Sequence, residues 1–279
     1  MKTAFLFPGQ GAQFAGMGRD IVEQYPQAKA RFEQANAIVG YDLLQLCLEG
    51  PDEKLNATTV SQRAIFTVSA ALLELFGAFG IRPDVTAGLS LGEYTALYAA
   101  GLISFEDGLK LVQQRGDAMQ AAADATEGSM VSIMGLDEVK VIELCEAASQ
   151  GELLVPVNYN CPGQIVISGA VGACRRAVEL APKYDAIKAI PLSVAGAFHS
   201  AMMQPAAETL AGALADCPIR EPGAVKVIAN ITADYYTSPD GIRDGLVKQL
   251  VEPILWQSCM EKLLAEGVED FYEIGPGRV

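Results

Sequence analysis

The sequence predicts an α/β protein: a large domain with a parallel-sheet core, into which a small ferredoxin-like subdomain is inserted. Three observations support this fold class. Short apolar strands alternate with helical segments over most of the chain, as in parallel sheets. The stretch 125–195 follows the order strand-helix-strand-strand-helix-strand instead. The length of 279 residues allows one large domain with a smaller one set into it.

The large domain is predicted to comprise 1–124 and 196–279. Its predicted strands are 4–7, 85–87, 225–230 and 270–274. Its predicted helices are 17–39, 62–79, 93–100, 107–123, 201–214, 244–250 and 254–265. The helix at 62–79 is apolar nearly all round, which indicates a central position.

The inserted subdomain, 125–195, is predicted from alternating and helical patterns. Its strands are 129–136, 153–159, 164–168 and 186–194, and its helices are 137–149 and 171–184. Asp137 is a candidate N-cap. Asn160-Cys161-Pro162-Gly163 has the composition of a turn between two strands.

Composition excludes several classes of protein. The 51% hydrophobic and 19% charged residues are typical of a globular chain. The net charge of -14 argues against a nucleic-acid-binding face, which needs clustered Lys and Arg. No uncharged apolar run reaches the roughly 18 residues of a membrane span. The first apolar run is too short for a signal peptide, so we expect it to be the first strand of a mature cytoplasmic protein.

Metal chemistry is also not expected. The six cysteines are widely spread without a C-x-x-C pair, which indicates reduced thiols in a cytosolic protein and no zinc pattern. The single histidine, His199, excludes a multi-histidine metal site. Any imidazole acid-base chemistry must therefore use His199.

A nucleophile motif follows the second predicted strand. Gly88-Leu89-Ser90-Leu91-Gly92 matches G-x-S-x-G, and a helix comes directly after it, which predicts a hydrolase-like strand-turn-helix elbow. Larger flanking residues would collide with the adjoining elements. The helix N-terminus offers N–H groups and a positive dipole end to a developing oxyanion. The alternative is a glycine-rich turn with a helix-capping serine.

Two further residues have the chemistry that such a serine needs. His199 lies in a loop after the last strand of the insert and is the candidate general base and acid. The alternative is a structural histidine at a helix N-terminus whose hydrogen bonds are all satisfied within the fold. Arg115 falls in an apolar helical stripe, between Val112 and Met119. A buried guanidinium needs an anion, which is either an internal carboxylate or a substrate carboxylate held bidentately.

Several stretches in a fixed order carry a family resemblance. They are 7–13 (FPGQGAQ), 88–94 (GLSLGEY), 114–119 (QRGDAM), 158–164 (NYNCPGQ), 196–200 (GAFHS), 249–250 (QL) and 275–277 (GPG). Together they resemble the malonyl-CoA:acyl carrier protein transacylases over nearly the whole chain. The resemblance implies ping-pong transfer of malonyl from coenzyme A to the phosphopantetheine thiol of acyl carrier protein for fatty-acid synthesis. It also implies a monomer without a permanently bound cofactor.

The resemblance assigns the catalytic roles. Ser90 is the nucleophile that carries the malonyl ester, and His199 is its base. Arg115 binds the free carboxylate of malonate. A carbonyl near Gln249 orients the histidine in place of an aspartate. The oxyanion hole consists of backbone N–H groups from Gln10 and Leu91.

The resemblance also implies a set of substrate-binding residues. They are Met119, Met130, Phe198, Asn160 and Gln164. The ring of Phe198 fills the space that an α-methyl group would need, which favours malonyl over branched extender units. For the two methionines, ordinary core packing is the alternative.

The chain departs from the family at three places. Leu89 stands where the pentapeptide usually has histidine, and Gln62-Arg63 stands where Gln-Pro is common. Relatives usually continue beyond the final 275–279 through another helix, so a shortened C-terminus is an expectation.

Alternatives remain at this point: a malonyltransferase of a polyketide pathway, an editing acyl hydrolase on the same fold, or a catalytically silent docking module. The candidates for a carrier-protein docking patch are Arg175, Arg176, Lys183 and Lys188 on the insert, with ordinary solvated charge as the alternative.

Overall fold

The computed structural model describes residues 2–277 and contains a four-stranded parallel sheet at the core of the large domain. In sheet order its strands are β7 (Lys226–Val227), β2 (Val85–Gly88), β1 (Lys2–Phe7) and β8 (Val268–Glu273). All three strand pairs are parallel. The predicted parallel-sheet core is therefore confirmed.

Ten helices of the described residues surround this sheet. They are α1 (Arg19–Gln24), α2 (Pro26–Val39), α3 (Leu43–Glu49), α4 (Asp52–Asn56), α5 (Thr58–Ala78), α6 (Gly92–Ala99), α7 (Phe105–Asp124), α10 (Gln204–Asp216), α11 (Pro239–Lys248) and α12 (Trp256–Ala265). Helix α5 is buried along most of its length and packs against α2, α6 and α7, as its all-round apolar sequence predicts.

The inserted unit has a separate antiparallel sheet. Its elements are β3 (Gly128–Met134), α8 (Glu138–Ser149), β4 (Leu154–Cys161), β5 (Gln164–Ala170), α9 (Val171–Leu180) and β6 (Lys188–Pro191). The sheet order is β4-β5-β3-β6, which is the ferredoxin-like arrangement. Asp137 caps α8 by accepting a hydrogen bond from the backbone N–H of Lys140, as predicted.

Some predicted boundaries are wrong, and proline accounts for two of them. The predicted helix 17–39 is two helices, because Pro26 starts α2 and holds the preceding Tyr25 in an extended conformation. The predicted helix 171–184 ends at Leu180 and continues as a 3-10 turn that contains Pro182. The short helices α3 and α4 escaped prediction. The predicted strands 186–194 and 225–230 are reduced to four and two residues.

Backbone hydrogen bonds join the two units next to the site. The N–H of Tyr159 in β4 donates to the carbonyl of Ile254 at 2.9 Å, and the N–H of Ile254 donates to the carbonyl of Val157 at 2.7 Å. Residues from the small unit, including Met130 and Val157, belong to the same apolar core cluster as the large sheet. The two units therefore pack as one body around the site.

No helix among residues 2–277 is both long enough and apolar enough to cross a membrane. The expectation about the C-terminus involves Arg278 and Val279, which lie outside the described residues.

The close approach of Gly92 to β1 gives a stability prediction. A Cβ at Gly92 would overlap the carbonyl oxygen of Phe7. We expect Gly92→Ala to lower the free energy of unfolding by about 2–3 kcal/mol, since strand and helix must separate. Urea denaturation measures this. The control is Gly212→Ala on α10, where a Cβ meets nothing within 4 Å. That change should stabilise by up to about 1 kcal/mol. Equal midpoints for both variants would contradict the steric argument.

Candidate active site

Ser90 lies on a sharp turn between β2 and α6. Its φ of 51° is in the left-handed region, which is strained for a non-glycine residue. The flanking glycines make the turn possible, because a Cβ at Gly88 would overlap the backbone of Gly92. The backbone N–H of Ser90 donates to Asn230 Oδ1 at 2.6 Å. The predicted elbow is therefore present, with its serine at the carboxyl edge of the parallel sheet.

Ser90 and His199 form a hydrogen-bonded pair. Ser90 Oγ lies 2.9 Å from His199 Nε2, and His199 Nδ1 lies 2.6 Å from the carbonyl oxygen of Gln249. A carbonyl can only accept, so Nδ1 carries the proton and Nε2 accepts from the serine. Burial and the cationic Arg115 lower the pKa of His199 to about 4. The imidazole is thus neutral, as a general base must be.

Arg115 meets the nucleophile directly. The guanidinium is 1% exposed. It donates to Gln62 Oε1 at 2.8 Å, to Ser90 Oγ at 2.9 Å and to Gln249 Oε1 at 3.0 Å. These three acceptors are neutral, and the Nε atom has no partner. Helix α7 therefore places a guanidinium beside the serine, and this guanidinium still has N–H donors that can bind an anion.

A cavity of about 360 Å³ opens over the serine. Its lining includes the predicted residues Gln10, Ser90, Arg115, Met119, Met130, Phe198 and His199. Leu89 also lines it. The mixture of apolar side chains with one cation suits a short acyl chain that ends in a carboxylate.

The structure does not bring Asn160 and Gln164 to this cavity, so their prediction as binding residues there is corrected. Asn160 is the penultimate residue of β4, and the side chain of Gln164 lies 3.5 Å from Ser132 Oγ on β3. Asn158 lines the cavity instead. It lies beside the hydrogen bonds that join β4 to Ile254. Of the motif at 158–164, the first residue, Asn158, is the one that reaches the cavity.

The backbone N–H groups of Gln10 and Leu91 lie on the two loops that enclose Ser90. Gln10 follows β1 and lines the cavity, and Leu91 is the N-cap position of α6. Among residues 2–277, neither amide has a hydrogen-bond acceptor in the fold. Both are therefore available for an oxyanion.

Sequence reasoning missed a buried polar network beneath the serine. Glu93 is fully buried and accepts hydrogen bonds from the Tyr236 hydroxyl, from Gln249 Nε2 at 2.6 Å and from the N–H of Asn230 at 3.3 Å. Gln249 Nε2 also donates to the carbonyl of Ser90 at 3.0 Å. The sequence does contain a signal for this network. Glu93 is an acidic residue in the largely apolar helix α6, just as Arg115 is a basic residue in the apolar stripe of α7.

The candidate docking residues differ in their surroundings. Arg176 is half-buried, pairs with Glu152 and donates to the carbonyls of Ala148 and Ser149, so it holds α8 and α9 together. Arg175, Lys183 and Lys188 are exposed.

Among residues 2–277, no group of three or more His, Cys, Asp or Glu side chains could hold a metal ion.

A serine on an elbow, paired with a neutral histidine below an acyl-sized cavity, defines the class of serine acyl-transfer enzymes. The comparisons agree with this class. A family model described as acyl transferase domain matches residues 4–277. The chain belongs to the acyl transferase family, and it is an acyltransferase.

Individual relatives narrow the resemblance. The malonyl CoA-acyl carrier protein transacylase of Bacillus subtilis (strain 168) is 46% identical over 279 residues, which cover 100% of this chain and 88% of that protein. The structure of the malonyl CoA-acyl carrier protein transacylase from Coxiella burnetii matches with a TM-score of 0.96 at 39% identity, covering 99% and 87% of the two chains.

A further solved structure contains a type II polyketide-synthase acyl-carrier protein in complex with its malonyl-transacylase. It matches with a TM-score of 0.96 at 38% identity and covers 100% of this chain and 90% of that one. The resemblance drawn from the motifs is confirmed.

The lowered pKa of His199 predicts an unusual acid limit. p-Nitrophenyl acetate acetylates Ser90 with a neutral acyl group. The rate of this acetylation should stay constant from pH 8 to about pH 5. It should then fall through about pH 4, where the imidazole gains a proton. The nitrophenolate burst, read at one quench pH, measures this. A circular-dichroism control confirms folding at each pH, and a half-maximal rate near 6.5 would contradict the lowered pKa.

Proposed function

We propose that this chain transfers the malonyl group from malonyl-CoA to the phosphopantetheine thiol of acyl carrier protein, for fatty-acid synthesis. The observation that carries the proposal is Arg115. A guanidinium that is 1% exposed and has only neutral acceptors lies 2.9 Å from the nucleophilic oxygen. Such a cation suits an acyl group with a free carboxylate near its thioester carbon, and malonyl has that form.

In the first half-reaction, His199 Nε2 takes the proton from Ser90 Oγ as the oxygen attacks the thioester carbonyl. The tetrahedral oxyanion accepts hydrogen bonds from the N–H groups of Gln10 and Leu91. One such donor contributes roughly 2.7–4 kcal/mol in the transition state. The carbonyl of Gln249 stabilises the imidazolium, because it accepts from Nδ1. His199 then protonates the coenzyme A thiolate as it leaves.

In the second half-reaction, the carrier-protein thiol replaces coenzyme A. His199 takes the thiol proton, the thiolate attacks the malonyl-serine, and Ser90 Oγ recovers the proton. The guanidinium of Arg115 holds the malonyl carboxylate throughout, so both half-reactions use one acyl position. Ping-pong kinetics follow from the shared covalent intermediate.

The apolar lining selects the acyl group. Phe198 is 5% exposed and lines the cavity beside His199, where an α-methyl branch would meet its ring. Met119, Met130 and Leu89 add further apolar side chains to the wall of the cavity. Malonyl is therefore the preferred extender unit over its α-branched analogue.

The two units of the fold have different roles in this proposal. The discontinuous segment 1–124 and 196–279 supplies the catalytic groups, and 125–195 supplies one wall of the cavity. We place carrier docking on the exposed Arg175, Lys183 and Lys188, since the carrier is expected to be acidic. Arg176 has a structural role instead.

The remaining expectations concern the whole protein. The enzyme works in the cytoplasm as a monomer, without a permanently bound cofactor or metal ion. A polyketide-pathway transacylase would run the same chemistry with a different carrier protein. An acyl hydrolase would not need Arg115, because release of simple acyl groups requires no carboxylate clamp.

Intact-protein mass spectrometry after brief exposure to malonyl-CoA tests the function. We expect one malonyl adduct on the wild type, none on Ser90→Ala, and discharge on addition of holo acyl carrier protein. An adduct that water alone discharges quickly would indicate a hydrolase. A protein that takes neither malonyl nor acetyl would be a docking module, and the proposal would fail.

Removal of the cation tests the carboxylate clamp. Arg115→Ala should lower kcat/KM for malonyl-CoA by about 30- to 100-fold, since charged hydrogen bonds contribute roughly 1.5–3 kcal/mol. The rate with acetyl-CoA should change only a few-fold. Stopped-flow acylation with malonyl-CoA and with acetyl-CoA measures the difference, and Lys29→Ala on the exposed face of α2 is the matched control. An equal loss with both donors would rule out the clamp.

A further inference from the structure

Three hydrogen-bond donors face the buried Glu93 carboxyl group. The Tyr236 hydroxyl donates to Oε1, and Gln249 Nε2 and the N–H of Asn230 donate to Oε2. A protonated carboxyl would find one acceptor among these partners, the Tyr236 oxygen, because the two N–H groups can only donate. The set of three donors on two oxygens therefore fits the ionised carboxylate.

Glu93 is connected to Arg115 through one side chain. Gln249 Nε2 donates to Glu93 Oε2 at 2.6 Å, while Gln249 Oε1 accepts from Arg115 at 3.0 Å. The amide dipole is thus aligned between a buried anion and a buried cation. Because the direct acceptors of Arg115 are neutral, Glu93 is the charge that balances the guanidinium when the cavity is empty.

We propose that the Glu93 carboxylate is the resting counter-charge of Arg115 and sets how tightly the malonyl carboxylate is held. This inference rests on the proposed malonyl transfer. When malonyl binds, two anions share one cation, so Glu93 weakens the hold of Arg115 on the substrate. A neutral acyl group brings no second anion and should not respond to Glu93. Glu93 touches no reacting atom, and it acts through Gln249 and Arg115 as a positioning and tuning residue.

The counter-charge makes malonyl affinity depend on pH. Burial raises the pKa of Glu93 to about 7. Below this pH the carboxyl is neutral, its O–H turning to the Tyr236 oxygen, and malonyl is held more tightly. Above it the carboxylate forms and the hold weakens. The groups that face Glu93 are Arg115, Tyr94, Tyr236 and Cys259. The two phenols and the thiol stay neutral near neutral pH, because burial raises the pKa of each. A guanidinium keeps its charge in this range.

Glu93→Gln removes the charge and keeps the shape. The amide oxygen can face Gln249 and Asn230 while its NH2 group faces the Tyr236 oxygen. We expect the KM of Ser90 acylation by malonyl-CoA at pH 8 to fall by about five-fold or more. Its rise between pH 6 and 8 should disappear, and the KM for acetyl-CoA should stay unchanged. Glu106→Gln, on the exposed start of α7, is the matched control and should leave both KM values unchanged.

Three results for Glu93→Gln would overturn the inference. They are an equal change of KM for malonyl-CoA and acetyl-CoA, a higher KM for malonyl-CoA, and a KM for malonyl-CoA that still depends on pH. Tyr236→Phe is a second, milder variant. It removes a donor that lowers the pKa of Glu93, so the midpoint of the malonyl KM profile should move to higher pH. An unmoved midpoint would also overturn the inference. Failure of this inference can be told from failure of the proposed function. If the proposed function is wrong, even the wild type forms no malonyl adduct.

Discussion

Gln249 is the residue on which the rest of the site depends. Its carbonyl fixes the tautomer of His199, its side-chain oxygen holds Arg115, and its NH2 group bridges the Ser90 carbonyl to Glu93. One residue at the end of α11 thus positions the base, the cation and the turn of the nucleophile. The strained φ of Ser90 is tolerated because these bonds and the tight glycine contacts leave the turn no relaxed alternative.

Much of this arrangement could be predicted from local sequence. The elbow can be predicted from the pentapeptide 88–92, because its turn needs glycines on both sides of the serine. Arg115 stands out because a cation interrupts an apolar stripe. His199 could be assigned because it is the single imidazole. Each of these signals lies within one helix or turn. The fold class follows for the same reason, since strand and helix periodicities alternate and then change at the insert.

The remainder depends on pairings that no local pattern encodes. Whether Asn158 or Asn160 reaches the cavity is decided by the register of β4 and by its hydrogen bonds to Ile254, which is distant in sequence. The network around Glu93 joins α6, the loop at Asn230 and the end of α11. The short helices α3 and α4 owe their existence to tertiary packing, because so few residues form no stable helix alone.

The hydrogen bonds between β4 and Ile254 have a mechanical consequence. They attach the small unit to the large one five residues beyond Gln249, on the same stretch of chain that orients the histidine. The small unit therefore cannot swing away as a lid without dragging the catalytic carbonyl.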